Sequence, residues 1–564
     1  MKKRARRILT LLLAASMVLS MAGCQKRSND DTATSTEQSA GSDSSSSDGS
    51  DAASTAETGT DTITFNRIPT PSDPTLVKGK ADNKDLVVAY NADTTTLDPH
   101  CAGNSAAVNV LMPVMEQLVK YDENGELQPW LAESWEVLDD HSWEFHLRKG
   151  VKFHNGEEMK ASDVVFSFTR ATTDYAANVA YIMDMIDPDG LEIVDDYTVI
   201  VRTKVPFGAF LYYLPYIGAS ILSEKAYTED EAYAIEHPVG TGPYVFQEYQ
   251  KGEYTKYTKF DDYWGGEPAC DTLTIRVIPD NNTRYIALET GEVDIAVGLS
   301  VNEMTQLENN PELMMATCPT TVFTTLNFNC AKAPFDNQTF RQALDYAINE
   351  EAIVQSVFRG SAQYTPGPVT PDSKYFYDGE PHCRYDVEKA KELLEESGVD
   401  LSQTFEIAVN ENQTRIDEAT IIQQQLAEVG IKTEINVMET AAYNEYITGS
   451  DKDMFFNGWG AVGFPDPDNN VYGPLHSSGI PENNVTDLSD PTLDDMLDRA
   501  RALQDGDERE QLLYDIQKYI RDLTPFVTFE NSTNIVGLQN YVEGFYAVPS
   551  SDQYYNFVSL VGQN

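Results

Sequence analysis

The chain has 564 residues, with 40 Lys and Arg against 90 Asp and Glu, and a formal net charge of -50. A body this acidic repels nucleic acid and anionic lipid surfaces, which argues against both as partners, and most of the charge reads as a solvated outer surface. Beyond Cys24 the cysteines are Cys101, Cys270, Cys318, Cys330 and Cys383. They are scattered, odd in number and without a CxxC, so neither a disulfide framework nor a zinc site is indicated, though one pair could still bridge in an oxidising exterior.

In chain order, the first segment is Lys2, Lys3, Arg4, Arg6 and Arg7 followed by an apolar stretch from Ile8 to Ala22. A basic start and an apolar core of about 15 residues predict a secretory signal, too short to span a bilayer comfortably. It ends in Met21-Ala22-Gly23-Cys24, which resembles the bacterial lipobox. That resemblance implies cleavage before Cys24 and acylation of its thiol, so that residues 1–23 are the signal. The other reading, a soluble secreted protein with an incidental Cys24, stays open. From Cys24 to residue 80 the chain is rich in Ser, Asp, Thr and Gly. Such a segment buries too little to offset its ordering entropy and reads as a disordered tether with ends roughly 40 Å apart.

About 480 residues follow, enough for two or three lobes. Nothing after residue 24 is apolar for long enough to cross a membrane. Strands are predicted at 85–90, 273–278, 293–297, 405–409, 431–437 and 453–457 from short apolar or alternating runs. One helix is predicted from Phe340 through Leu344, Ala347, Ile348, Val354 and Phe358 to a stop at Gly360. Another starts at Asp386, buries Ala390, Leu393 and Leu394, and stops at Gly398. Asp490-Pro491 opens a third, and an amphipathic run through Leu512, Leu513, Ile516 and Ile520 ends near Pro525. Helices alternating with strands predict an α/β protein.

Catalytic motifs are lacking: there is no HExxH, GxSxG or GxxxxGK. The seven histidines show no close metal spacing, and His146 and His154 read as a solvated pair. Gly458-Trp459-Gly460-Ala461-Val462-Gly463 fits GxGxxG after a strand. A dinucleotide site needs a helix to open there, and Pro465 and Pro467 prevent it. No enzyme, cofactor or metal is expected.

Several longer stretches carry a resemblance. "LAESWEVLDDHSWEFHLRKGVKFHNGEEMKASDVVFSFTR" (131–170), "PVGTGPYVF" (238–246), "DDYWGGEP" (261–268), "TRYIALETGEVDIAVG" (283–298), "LNFNCAKAPFDNQTFRQALDYAIN" (326–349) and "YDVEKAKELLEESG" (385–398) occur in that order. They resemble family 5 extracellular solute-binding proteins, the peptide- and nickel-binding receptors of ABC importers. The resemblance covers the body from about residue 82 to the end. It implies a two-lobe periplasmic-binding-protein-like fold (type II, cluster C) with an additional inserted domain. By analogy lobe I is 82–97, 239–321 and 526–564, the insert is 98–238, and lobe II is 322–525. Trp130, Trp135, Trp143 and Trp264 fall in framework motifs and are expected in the core.

The family implies a monomeric receptor that traps a solute between its lobes and passes it to an ABC permease and its ATPase. Acylation at Cys24 would hold it on the extracellular face of the cytoplasmic membrane. Dipeptide receptors of the family anchor the ligand amine on an aspartate three residues after the Trp of a GW motif. Here that position is Val462, and Asp466 or Asp468 is the expected substitute. The carboxylate-binding arginine has one candidate, Arg415. A tryptophan of the dipeptide site is replaced by Thr440, leaving Tyr443 as the nearest aromatic. Trp459 with Gly460 is expected to face the ligand, and Asn91 to Thr96 to line the cleft. These departures leave open oligopeptides, or a metal chelate (nickel), oligosaccharide or other solute. A signalling or adhesion lipoprotein of the same fold is the third reading.

Overall fold

The structure is a computed structural model that describes residues 66–72, 76, 84–122, 125–176, 179, 183–379, 383–460, 466–549 and 554–561. The predicted signal, Cys24 and nearly all of the tether lie outside the described residues.

The framework is one mixed sheet of 11 strands. They are β1 (Asp85–Tyr90), β2 (Tyr244–Gln250), β3 (Tyr254–Lys259), β4 (Thr272–Val277), β5 (Ile295–Val297), β6 (Leu313–Phe328), β7 (Ala362–Tyr364), β8 (Thr404–Asn410), β9 (Lys432–Met438), β10 (Met454–Trp459) and β11 (Phe526–Gln539). Their order is β9-β8-β10-β6-β11-β5-β1-β4-β3-β2, with β7 paired to β11. β1 runs parallel to β4 and β5, and β8 runs parallel to β9 and β10. The six predicted strands are all present, shifted by one or two residues at their ends.

The prediction did not find β6 and β11, which carry the whole arrangement. β6 has 16 residues and β11 has 14. At about 3.3 Å per residue β6 is ~50 Å long, enough to belong to both halves of the molecule. The two pair antiparallel from Leu313↔Gln539 to Pro319↔Thr533, then slip to Phe323↔Asn531 and again to Thr325↔Thr528. Apolar packing follows the same division. Met314, Ala316, Cys318, Val536 and Leu538 join the core around β1, while Leu326, Phe328, Val527 and Phe529 join the core around β8 and β10. Between them lie Thr320, Thr321, Asn531, Ser532 and Thr533, side chains with no apolar core to enter. Two lobes thus share two strands, and the register slip marks where they meet.

The labelled helices are α1 (Ala161–Ala171), α2 (Gln338–Ala347), α3 (Glu350–Phe358), α4 (Val387–Ser397), α5 (Gln413–Glu428), α6 (Asp468–Leu475), α7 (Pro491–Ala502) and α8 (Asp507–Leu523). The single helix expected from Phe340 to Gly360 is two helices. Ile348 takes extended backbone angles, and Asn349 caps α3 by accepting from Ala352 N at 2.9 Å. The Asn349 side chain there replaces the backbone carbonyl that a continuing helix would have offered Ala352 N. α4 keeps its predicted ends, Asp386 at the N-cap and Gly398 left-handed at the C-cap. α7 opens on Asp490-Pro491 as predicted.

A four-stranded antiparallel sheet, Ala132–Asp139, Ser142–Leu147, Thr198–Arg202 and Glu192–Asp195, lies within residues 98–238 with α1. Its core is continuous with that of β1, so this region is fused to the first lobe. The framework tryptophans behave as expected. Trp143 is fully buried, and Trp130, Trp135 and Trp264 pack on the same core. Glu116 ties Trp130 and Trp264 together, accepting from Trp130 Nε1 at 2.8 Å, Trp264 Nε1 at 2.9 Å, the Tyr263 hydroxyl at 2.7 Å and Thr241 Oγ1 at 2.8 Å. His154 departs from the solvated reading: its ring packs edge-on to Phe260 and its Nε2 meets Gly242 O at 2.9 Å. No disulfide joins any two of the five described cysteines.

Candidate functional site

Parallel strands β8 and β10 end side by side next to the slip between β6 and β11. The carboxyl ends of such strands are the usual place for a ligand in an α/β sheet, because the loops there converge and helices begin. α5 starts directly after β8, since Asn412 caps it by accepting from Arg415 N. This puts Arg415 in the first turn. Its Nη1 donates to Asn410 Oδ1 at 3.2 Å, and its Nη2 lies 3.4 Å from where a side chain at Gly458 would begin. One residue on, Trp459 rests against Ala408, Tyr443, Phe455 and Val485. Its Nε1 is buried and has no partner among the described residues. A Cβ at Gly460 would sit 2.5 Å from Val322 Cα, so β10 approaches the slip this closely only because a hydrogen stands there.

Trp459, Gly460 and Arg415 are therefore brought together at one place. Tyr443 lies under them and not in the open. It is 2% exposed, and its hydroxyl donates to the Phe456 and Ala408 carbonyls, so it supports Trp459 from below. Asn91 is exposed at the end of β1, beside Gly298 on the other lobe.

Asp466 and Asp468 require a correction. Asp466 is fully enclosed and receives both terminal nitrogens of Arg509, at 2.5 and 2.9 Å. Asp468 receives Arg501 Nε at 3.0 Å and Nη2 at 2.7 Å, and the Tyr213 hydroxyl at 2.8 Å. Burial alone would raise the Asp468 carboxyl, but Arg501 holds it below the usual carboxylate range. Each aspartate is neutralised by the protein's own guanidinium. Separating a buried pair costs about 3–5 kcal/mol, so a ligand amine finds no available carboxylate here. Val462 lies outside the described residues.

Asp468 joins the lobes, while the Asp466–Arg509 pair lies wholly within the second lobe. Tyr213 belongs to the 98–238 region, and Asp468 and Arg501 to the second lobe. Alongside, the Tyr212 hydroxyl donates to Asp505 Oδ2 at 2.6 Å, and Lys374 Nζ reaches the same oxygen at 2.7 Å. Gly208 N donates to Arg501 O at 2.7 Å.

Two functional candidates escaped the sequence reading. Glu418 lies one turn beyond Arg415 on α5, and Glu530 lies on β11; they are 1% and 4% exposed. Both Glu418 oxygens and Glu530 Oε2 lack a hydrogen-bond partner among the described residues. So do Asn531 Oδ1, Thr533 Oγ1 and Asn534 Nδ2, further along β11. Burial pushes the Glu418 carboxyl well above its ordinary range, and burial pushes Glu530 up to about 7. The signal for Glu418 was legible: it occupies the buried stripe of α5 with Ile422 and Leu426, a position for an apolar residue.

Among the described residues one group could gather around a metal ion, Asp139, Asp140 and His141 at a hairpin tip. Both aspartates are exposed and Asp140 already bonds the His141 ring at 2.7 Å, an ordinary surface arrangement. No helix of the described residues is long and apolar enough to cross a membrane.

The family model "Bacterial extracellular solute-binding proteins, family 5 Middle" matches residues 126–482. The chain belongs to family 5 of the extracellular solute-binding proteins. As a member it is an extracellular substrate-binding protein of an ABC importer and not an enzyme. This family 5 protein is 31% identical over 481 residues to the glutathione-binding protein GsiB of Pectobacterium atrosepticum, covering 83% of this chain and 92% of that one. It is 31% identical over 485 residues to heme-binding protein A of Haemophilus influenzae, covering 80% and 87%. Among solved structures it is similar to the ABC transporter-associated periplasmic binding protein DppA of Helicobacter pylori in complex with the peptide STSA, with a TM-score of 0.70, 29% identity, and 86% and 99% covered. The two-lobe binding-protein fold is thus shared along nearly the whole body.

Proposed function

We propose that this protein captures short peptides, glutathione-like ones included, between its lobes at the ends of β8 and β10 and delivers them to an ABC permease. The observation that carries the reading is the set of buried polar atoms along the slip that lack a partner among the described residues, on Glu418, Trp459, Glu530, Asn531, Thr533 and Asn534. Buried polar groups in proteins are nearly always satisfied, and an unmet one costs about 1–3 kcal/mol. A set of them lining the meeting of two lobes is what a polar solute would complete. Relatives that bind glutathione and a peptide support a peptidic solute. The reading includes acylated Cys24 and residues 24–80 as a leash to the membrane, and a monomer. It keeps 98–238 as an insert riding on lobe I and moves the second lobe border from 526 to about 532, where β11 slips.

Mechanism follows from the shared strands. Closing the lobes brings Trp459 and the β11 side chains around the solute, and the permease reads the closed shape. The ligand contributes only its differential affinity for that shape. A thermal-shift screen tests the reading, since a ligand at about 100 times its Kd adds about 2.7 kcal/mol. Stabilisation by tri-alanine or glutathione is expected. Stabilisation confined to nickel chelates, hemin or oligosaccharides would replace the peptide by that solute. Mass spectrometry of the membrane-bound protein checks the anchor: a diacylated N-terminal Cys24 is expected.

A further inference from the structure

We propose that Glu418 and Glu530, with Thr324, form the subsite that holds a protonated amine of the captured solute. The inference rests on the receptor reading above and adds which part of the ligand goes where.

Both oxygens of Glu418 and Oε2 of Glu530 are enclosed, and apart from the contact between the two carboxyls themselves they receive no hydrogen bond among the described residues. The Thr324 hydroxyl bonds the Glu530 carboxyl and orients it. The nearest cation does not complete the set: Arg415 spends Nη1 on Asn410 and forms no ion pair with either acid among the described residues. An enclosed carboxylate without donors is costly, and an ammonium group offers three donors and a compensating charge. Once the proton shared by the two carboxyls leaves, their enclosed oxygens match the three donors of one ammonium. The position is also right. Glu530 is one residue from Asn531, whose Nδ2 donates to Thr320 O at 3.1 Å at the slip, and Arg415 lies over Gly458 beside Trp459. An amine seated here touches the strands that join the lobes.

The two carboxyls face each other closely enough for one proton to bridge them. The other charged groups acting on them are Arg415 and Asp417 of α5. α3 packs against β11, but its Glu350 turns to Cys383 Sγ at 2.8 Å. Binding then exchanges charges in balance: the ammonium enters as a cation, the shared proton leaves to solvent, and no covalent bond changes.

The test is calorimetry of the full mature protein with tri-alanine, N-acetyl-tri-alanine and glutathione near neutral pH, in phosphate and in Tris. Tri-alanine is expected to bind about tenfold or more tighter than its acetylated form, as befits a charged hydrogen-bonded group. The heat difference between the two buffers is expected to report about one proton released per peptide. Glu418→Gln and Glu530→Gln should abolish both the release and the preference for the free amine. If acetylated and free peptides bind wild type equally, the subsite falls and the receptor reading stands. If none of the three binds, both fall. Should the variants fail to fold, the acetylation comparison and the proton count on wild type still decide.

Discussion

Asp466 and Glu418 are both enclosed carboxylates, and their neighbours give them opposite roles. Arg509 closes on Asp466 with two hydrogen bonds, so removing the carboxylate strands a guanidinium in the interior. Asp466→Ala is expected to destabilise the fold by about 3–5 kcal/mol, read by urea unfolding, whatever solute is present. Glu418 faces another acid, Glu530, and no guanidinium closes on it, so its charge is a liability until something binds. Its folded value is raised above the unfolded one, so the penalty grows as pH rises past the ordinary carboxylate range and through the folded value. Glu418→Gln should therefore raise the unfolding free energy by roughly 1–3 kcal/mol near pH 8, with the gain shrinking toward pH 5. An equal gain at both values would mean that the acid pair is not what titrates. The sequence marks Glu418 as misplaced on an apolar stripe, but whether an arginine waits opposite depends on residues far along the chain.

At the level of elements, residues 207–213 of the 98–238 region contact the α6–α8 group of the second lobe. An added Cβ at Gly208 would lie 1.7 Å from the Leu503 carbonyl oxygen, with backbone on both sides and nothing to rotate away. Gly208→Ala is expected to favour the open form. Small-angle scattering should show a larger radius of gyration without solute, and binding should weaken because closure now costs more. Tyr213→Phe removes one donor to the enclosed Asp468 and should cost about 1–2 kcal/mol of closure while leaving each lobe folded. Element reading from sequence succeeds where caps are local, as at Asp386, Gly398 and Asp490, and it fails at Asn349, where the cap sits inside an apolar periodicity. It also misses β6 and β11. Their middle stretches, rich in Thr and Asn, show no two-fold apolar alternation because no core lies on either side of the slip.

At the scale of the molecule, the buried histidines of the first lobe and the buried acid pair of the second answer to pH in opposite directions. His100 is buried against Arg170 and Asp98, and burial holds its ring down to about 3; burial likewise lowers His154 to about 4. Both belong to the first lobe with its insert, and both must stay neutral when folded. Their contribution is present above the unfolded value near 6.5 and is lost below it, about 1.4 kcal/mol per pH unit for each histidine. The second lobe holds Glu418 and Glu530, whose raised values make it firmer in acid. Scanning calorimetry between about pH 5 and pH 8 is expected to separate two transitions that move in opposite directions. A single transition that shifts one way would show that the lobes unfold as one.

The sequence by itself determined the family, the α/β alternation, the acidic balance and the helix ends at Asp386, Gly398 and Asp490, because each is written in residues close together along the chain. That Trp459, Gly460 and Arg415 could come near one another was legible for the same reason, as they sit in or beside recognisable motifs. The tertiary structure alone decided that Asp466 and Asp468 are occupied by Arg509 and Arg501, that Tyr443 lies beneath the site, and that Glu418 meets Glu530. Those outcomes depend on which charges converge when β8, β10, β6 and β11 are laid side by side, and electrostatic pairing over a few ångströms leaves no trace in local sequence pattern.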